Sequence, residues 1–201
     1  MEEWKSKRLK GIGGSDASAI LGLNPYMSNV DLWKIKTGRK EQEDISDKDV
    51  VKYGVAMEPL LIEMFKINNP QYEVEYKGFD LLYHKDYDFL FGSIDGRIIE
   101  KETGKRGVLE IKTYQGCKWN KWKDKIPDNY YCQVLHYLLC TGWDFAIVFA
   151  LLKAENFMSL KTFKINRENV KDELDYLLQK ELEFWEYVEK DIEPALILPQ
   201  I

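Results

Sequence analysis

The stretch from residue 89 to residue 113 constrains this chain more than any other. It reads as two strand-like runs, 89–99 and 107–113, joined across residues 101–106, where Gly104 is a natural turn residue. Both runs are strongly apolar, yet each carries charge. The first contains Gly92-Ser93-Ile94-Asp95-Gly96; fifteen residues after Asp95, the second contains Leu109-Glu110-Ile111-Lys112. Side chains alternate along a strand, so Glu110 and Lys112 share one face while Leu109 and Ile111 point into the core. Antiparallel pairing across the turn brings Asp95 towards Glu110.

Two carboxylates on one sheet face are oxygen ligands for a hard divalent cation such as Mg²⁺. A lysine two residues away suits the holding or polarising of an attacking water and the steadying of charge on a phosphate. This is the arrangement of metal-assisted phosphodiester hydrolysis. Taken alone, the same residues also fit a turn aspartate beside a solvated Glu–Lys pair. The apolar setting of both runs favours the chemical reading.

The rest of the chain supplies layers for this sheet. Ser15-Asp16 reads as an N-cap before a short helix over 17–21, closed by Gly22 and Pro25. Ser28 caps a second helix through Lys36, with Gly38 at its end. Apolar residues recur at helical spacing over 46–68, and Pro59 within that run predicts a break near Ala56 and Met57. Residues 72–76 alternate as a strand. Pro127 starts a helix through Leu139, the apolar run 143–152 reads as a buried strand, and 157–165 pairs with it. An amphipathic helix follows over 167–190. The apolar tail from Pro194 packs on its own core or on a neighbouring subunit. The expectation is one domain over residues 1–201, of α/β (α+β) class, with helices flanking a central mixed β-sheet.

Composition removes several function classes. At 201 residues and 45% hydrophobic content the chain builds a real core, which excludes a disordered tail. No apolar run approaches the roughly 20 residues that span a bilayer, and no apolar segment follows the basic residues of the first ten. The expected setting is cytoplasmic, without a membrane. Cys117, Cys132 and Cys140 include no CxxC pair, which argues against a disulfide framework, a structural zinc site and an iron–sulfur cluster. His84 and His136 lack partners at metal-ligand spacing and read as structural or exposed. The formal net charge of −5 is unfavourable for nucleic-acid binding. Its distribution matters more. Acidic residues crowd 41–49 and 172–193, whereas 5–10 and 118–125 are basic. Within the latter, Lys118, Trp119, Trp122 and Lys123 suit a DNA-facing loop, with rings stacking on bases and lysines meeting phosphates. The same run equally suits a surface loop whose tryptophans cover the core.

Five segments in order then carry a family resemblance over about residues 4–150. They are Trp4, Arg8 and Gly11-Ile12-Gly13-Gly14-Ser15-Asp16; Tyr53-Gly54 with Glu58; the Asp95 segment; Leu109-Glu110-Ile111-Lys112-Thr113; and Gln133 with Tyr137. Together they resemble the phage-type alkaline exonucleases, or YqaJ-like viral recombinase family, of the PD-(D/E)xK nuclease superfamily. The resemblance implies a restriction-endonuclease-like core. It assigns Asp95, Glu110 and the Ile111 backbone carbonyl to a metal, with Glu58 reaching it directly or through water. It makes Lys112 the catalytic lysine. Gln133 would orient the water or Lys112, with Tyr137 one helical turn on along the same face; helix packing alone also explains both. Arg8 and Ser15 would receive a DNA 5′ phosphate, the serine at a helix N-terminus and the arginine forking onto oxygens.

The implied activity is that of a Mg²⁺-dependent 5′-to-3′ exodeoxyribonuclease, with Mn²⁺ able to substitute. It would degrade linear double-stranded DNA with 5′-phosphate ends to mononucleotides, leaving a 3′ single strand, in phage-type recombination. A homotrimer, a single-strand annealing partner and a phage or prophage origin in a bacterial host cell are implied in the same way. Two alternatives share the site or the fold: a structure-specific or defence-related endonuclease, and a non-catalytic DNA-binding module. The Arg8–Ser15 pair favours an end-directed enzyme over the first. The intact Asp95, Glu110 and Lys112 set argues against the second.

Overall fold

The computed structural model describes residues 9–78, 80–116 and 119–198. Arg8 and Lys118 lie outside the described residues, as does the side chain of Trp119. In chain order the elements begin with helices α1 (Gly14–Ile20), α2 (Asn29–Lys36) and α3 (Asp49–Asn68). Strands β1 (Tyr72–Glu75), β2 (Asp80–Tyr83), β3 (Phe91–Ile94), β4 (Gly96–Glu100) and β5 (Arg106–Gln115) follow. A short 3₁₀ turn (Trp119–Trp122) leads to α4 (Asp128–Thr141), then β6 (Phe145–Ala154), β7 (Phe157–Asn166) and α5 (Lys171–Glu189).

Five strands form one sheet in the order β1-β4-β5-β6-β7. Only β5 and β6 run parallel, and the helix α4 makes the crossover that a parallel pair requires. The other pairs are antiparallel, which gives the mixed sheet the pattern predicts. Alternation along β6 divides the core. Phe145, Ile147, Phe149 and Leu151 pack on Leu61, Ile62 and Phe65 of α3. Ala146, Val148, Ala150 and Leu152 pack beneath Val134, Leu135 and Leu138 of α4. Both faces are covered, so the strand reads as an unbroken apolar run rather than an alternating one. The same division on β5 sends Leu109 and Ile111 towards α3, and Val108, Glu110 and Lys112 towards α4.

The structure corrects four expectations. The run 89–99 is two strands: β3 pairs with β2 in a separate two-stranded sheet, and β4 pairs with β5 and β1. Asp95 lies where the chain passes from one sheet to the other. Strand β2 gives no clear sequence signal because Asp80-Leu81-Leu82-Tyr83 is short and does not alternate. Pro59 does not break α3, which is continuous over Asp49–Asn68. The carbonyl that loses its donor belongs to Val55, which is 66% exposed, so water can take the donor's place. The N-cap of α1 is Gly13, not Ser15. Asp16, at the third helical position, accepts the Gly13 N–H at Oδ2, 3.0 Å away.

The apolar tail packs on its own chain. Asn29 donates to the Ala195 carbonyl at 2.8 Å and accepts the Ile197 N–H at 3.0 Å. Ile197 fills the space over Gly22, whose φ of +71° is in any case unsuited to other residues. Among the described residues no helix is long and apolar enough to cross a membrane.

Candidate active site

The β4–β5 ladder pairs Gly96 with Leu109. One step beyond its end, Asp95 stands across from Glu110. With no ladder partner there, the Ile111 N–H donates to Asp95 Oδ2 at 2.7 Å. In an extended strand a residue's N–H and C=O point to the same side. The Ile111 carbonyl therefore opens onto the edge of β5 where Asp95 sits.

Glu110 is 1% exposed. Its Oε1 accepts from Lys112 Nζ and, at 3.0 Å, from Gln133 Nε2. Its Oε2 is buried without a hydrogen-bond partner. Gln133 also donates to the Tyr137 hydroxyl at 2.7 Å, so one amide group links the Glu110 carboxylate to the body of α4. Tyr137 is only 4% exposed and serves as a support. Its ring lies so close to Gly14 and Gly92 that a Cβ on either would fall within 2.5 and 2.8 Å of it. These two glycines of the sequence motifs are thus explained by close approach.

Electrostatics mark the place. Burial, and then the charge of Glu110, push the Asp95 carboxyl up to about 8. Burial likewise raises Glu110, against the pull of Lys112. Burial alone would lower the Lys112 ammonium, but Glu110 and Asp95 outweigh it and hold it above the ordinary lysine value. Glu58, on α3, is raised by burial and then by Asp95; its Oε1 accepts from the Tyr76 hydroxyl at 3.1 Å. Three acids crowd one cleft against one lysine. Crowded carboxylates with an unsatisfied buried oxygen are what a divalent cation relieves, so the donor set fits one. Among the described residues, no three His, Cys, Asp or Glu side chains form a metal cage. The candidate donors are therefore Asp95, Glu110 and the Ile111 carbonyl, with Glu58 further out, a sparse set that suits Mg²⁺ with its retained waters.

Ser15 borders the same cleft as Glu58, Asp95, Glu110, Lys112 and Gln133. It is exposed at the second position of α1. The sequence missed what holds it there. Asp16 Oδ2 takes Lys36 Nζ at 2.7 Å in an ion pair with both side chains nearly buried. The G-G-S-D spacing held the signal, since an acid three residues after a capping glycine points back at it.

Trp122 is a correction. It is 1% exposed, stacked on Tyr130 at 5.3 Å between centroids and tilted against Phe163 at 6.3 Å. A ring this buried covers the core and does not face DNA. Lys123 is exposed. Two further residues of the site carry no clear sequence signal of their own: Tyr130, which lines the cleft, and Tyr76, which donates to Glu58. Tyr130 lies three residues before Gln133 on α4, a spacing that shares a helix face. His136, expected to be structural or exposed, is fully buried: Nδ1 lies 2.7 Å from Glu181 Oε1 and Nε2 lies 2.9 Å from the Phe91 carbonyl oxygen.

Residues 3–144 match the YqaJ-like viral recombinase domain. The chain is 35% identical over 187 residues to the uncharacterized protein YqaJ of Bacillus subtilis strain 168, a match that covers 92% of this chain. The chain spans 55% of that relative's length. Its fold is similar to that of the alkaline exonuclease LHK-Exo from Laribacter hongkongensis, with a TM-score of 0.70 at 18% identity, covering 96% of this chain and 95% of that one. A phage-related exonuclease from Haemophilus somnus 129PT aligns with a TM-score of 0.58 at 12% identity, covering 92% and 99%. At these identities the structures establish the shared restriction-endonuclease-like fold.

Proposed function

The chain belongs to the YqaJ-like viral recombinase family, and from that premise we propose that it is a Mg²⁺-dependent exodeoxyribonuclease acting on linear duplex DNA from 5′-phosphorylated ends. The observation that carries the reading is the convergence of Asp95, Glu110 and Lys112 with a buried Glu110 oxygen that no hydrogen bond satisfies. A divalent cation held by Asp95, Glu110 and the Ile111 carbonyl would supply Lewis-acid polarisation of the scissile phosphate. Mn²⁺ meets the same oxygen donors.

The chain's own residues do the rest. The Lys112 ammonium donates to the attacking water or to a phosphate oxygen as negative charge grows there. Gln133 fixes the Glu110 carboxylate through Oε1, and Tyr137 fixes Gln133. Glu58 adds negative charge on the α3 side. The Ser15 hydroxyl, joined by Arg8, receives the terminal phosphate. Hydrolysis from that end releases mononucleotides and leaves a 3′ strand. The alkaline exonuclease from Laribacter hongkongensis has been solved in complex with dAMP, a mononucleotide of the kind this reaction would release. A homotrimer around the duplex and a single-strand annealing partner complete the reading, and light scattering and co-purification test them.

The central test is a digestion time course with Mg²⁺ on 5′-phosphorylated linear duplex, 5′-hydroxyl linear duplex and a closed circle, with an EDTA control. Loss of the phosphorylated linear DNA, with the circle intact, is the expected result. Nicking of the circle overturns end-directed action in favour of an endonuclease. Binding without cleavage of any substrate overturns catalysis.

A further inference from the structure

The basic-aromatic run before α4 has no place in the chemistry above, and its buried tryptophan does not reach solvent. It reaches the site by another route. Trp122 stacks on Tyr130, at 5.3 Å between centroids and 29° between planes. Behind it, Phe163 of β7 closes the row. On the cleft side, Lys112 Nζ stands 5.0 Å from the centre of the Tyr130 ring. The ammonium is therefore held between two unlike partners: Glu110 Oε1 on one side and an aromatic ring on the other. Lysine is long, flexible and singly charged, so a carboxylate alone leaves its head free to swing about that contact. An aromatic face adds a second, directional restraint, which strengthens where water is excluded. Lys112 is only 18% exposed, so that condition holds.

We infer that Tyr130, backed by Trp122, is a positioning residue that fixes the Lys112 ammonium for the reaction. The inference rests on the nuclease reading for its kinetic consequence, but the placement of Lys112 stands apart from it. What acts is the ring: among the described residues, no hydrogen bond of the site uses the Tyr130 hydroxyl.

The test compares Tyr130→Phe, which keeps the ring, with Tyr130→Leu, which keeps bulk without it. Thermal melting verifies that both fold. In Mg²⁺ on phosphorylated linear duplex, Tyr130→Leu should lower kcat about five- to thirtyfold with KM within about twofold, and Tyr130→Phe should stay within about twofold of the parent in both. A second readout needs no activity: modification of Lys112 by an amine-reactive reagent, measured by peptide mass spectrometry. Tyr130→Leu should raise the labelling several-fold, and Tyr130→Phe should not. Unchanged labelling and unchanged kcat in Tyr130→Leu overturn the inference. So does a Tyr130→Phe variant that falls as far as Tyr130→Leu, because the hydroxyl would then be the acting group. A parent protein without nuclease activity, but with the same labelling pattern, overturns the nuclease reading and leaves the placement standing.

Discussion

Two buried glutamates in this protein each keep one carboxylate oxygen without a hydrogen-bond partner, and they do different things. Glu110 Oε2 and Glu181 Oε2 are the two such side-chain atoms among the described residues. Glu181, on α5, faces His136, and the imidazole is held well above its ordinary pKa. Burial alone would lower that pKa, but Cys140 and Glu181, both within hydrogen-bonding reach of the ring, outweigh it. Both ring nitrogens face oxygens, Glu181 Oε1 and the Phe91 carbonyl, an arrangement that favours an imidazolium, sealed between α4 and α5. Glu110 instead shares its surroundings with Asp95 and Glu58, against Lys112 alone, beside an open cleft. An orphaned buried oxygen does not make a site by itself. Excess like charge with access from solvent does.

The largest effect should come from breaking the charge excess. Asp95→Asn keeps the shape, still accepts the Ile111 N–H and offers an amide donor towards Glu110. Folding stability without metal should hold or rise, because one of two crowded acids is gone. Hydrolysis should fall about 10⁴-fold, in line with losing several kcal/mol of metal-borne stabilisation. The rise in Tm on adding Mg²⁺ should vanish as well. A variant that keeps the Mg²⁺ shift removes Asp95 from the metal site.

The sealed cluster should answer in the opposite sense. Glu181→Leu strands a buried imidazolium and should cost about 3 kcal/mol of stability. Combining it with His136→Leu should recover most of that cost. Denaturant titration reads both, and equal losses in the single and double variants would show that the pair is not an ion pair. The pH dependence sharpens the point. The folded pKa of His136 lies above the unfolded value, so its contribution is complete below about pH 6.5 and is lost as pH rises through the folded value. Stability should therefore fall with rising pH by at most about 1.4 kcal/mol per unit from this group. The groups facing it are Glu181, Cys140 and, nearby, His84. Asp95, pushed up to about 8, acts with the same sign, so the double variant should lose the His136 share of the slope and Asp95→Asn a separate share.

Much of the active cleft was legible because it follows strand period and turn spacing. Asp95, Glu110 and Lys112 needed only alternation and one hairpin to meet. Gln133 and Tyr137 needed one helical turn. What sequence did not show depends on contacts between distant elements. The Asp16–Lys36 pair joins α1 to α2 across twenty residues. The Trp122–Tyr130–Lys112 row turns a run that reads equally as a DNA-facing loop or as cover for the core into the back wall of the site. His136 finds its counter-charge 45 residues away on another helix. The strand break at Asp95 was hidden for a related reason. An apolar run reads as one strand, and only the presence of β2 tells that its first half pairs elsewhere.

The smallest effect tests where the charge excess ends. Tyr76 donates to Glu58 at 3.1 Å from the loop after β1, and the residue is 38% exposed. Here a carboxylate at the rim of the cleft has one neutral donor within reach of water. A hydrogen bond in such a place is worth about 0.5–1.5 kcal/mol net, because water replaces it. Tyr76→Phe should therefore lower kcat about threefold and leave Tm within about one degree. Had the same donor been lost inside the His136 cluster, no water would replace it and the cost would appear in folding. A loss of activity as deep as that of Asp95→Asn would place Tyr76 itself against the reacting atoms. No change at all would mean that α3, and not the tyrosine, fixes Glu58, because the twenty-residue helix would then be holding the carboxylate through its packing of Leu61, Ile62 and Phe65 on the sheet.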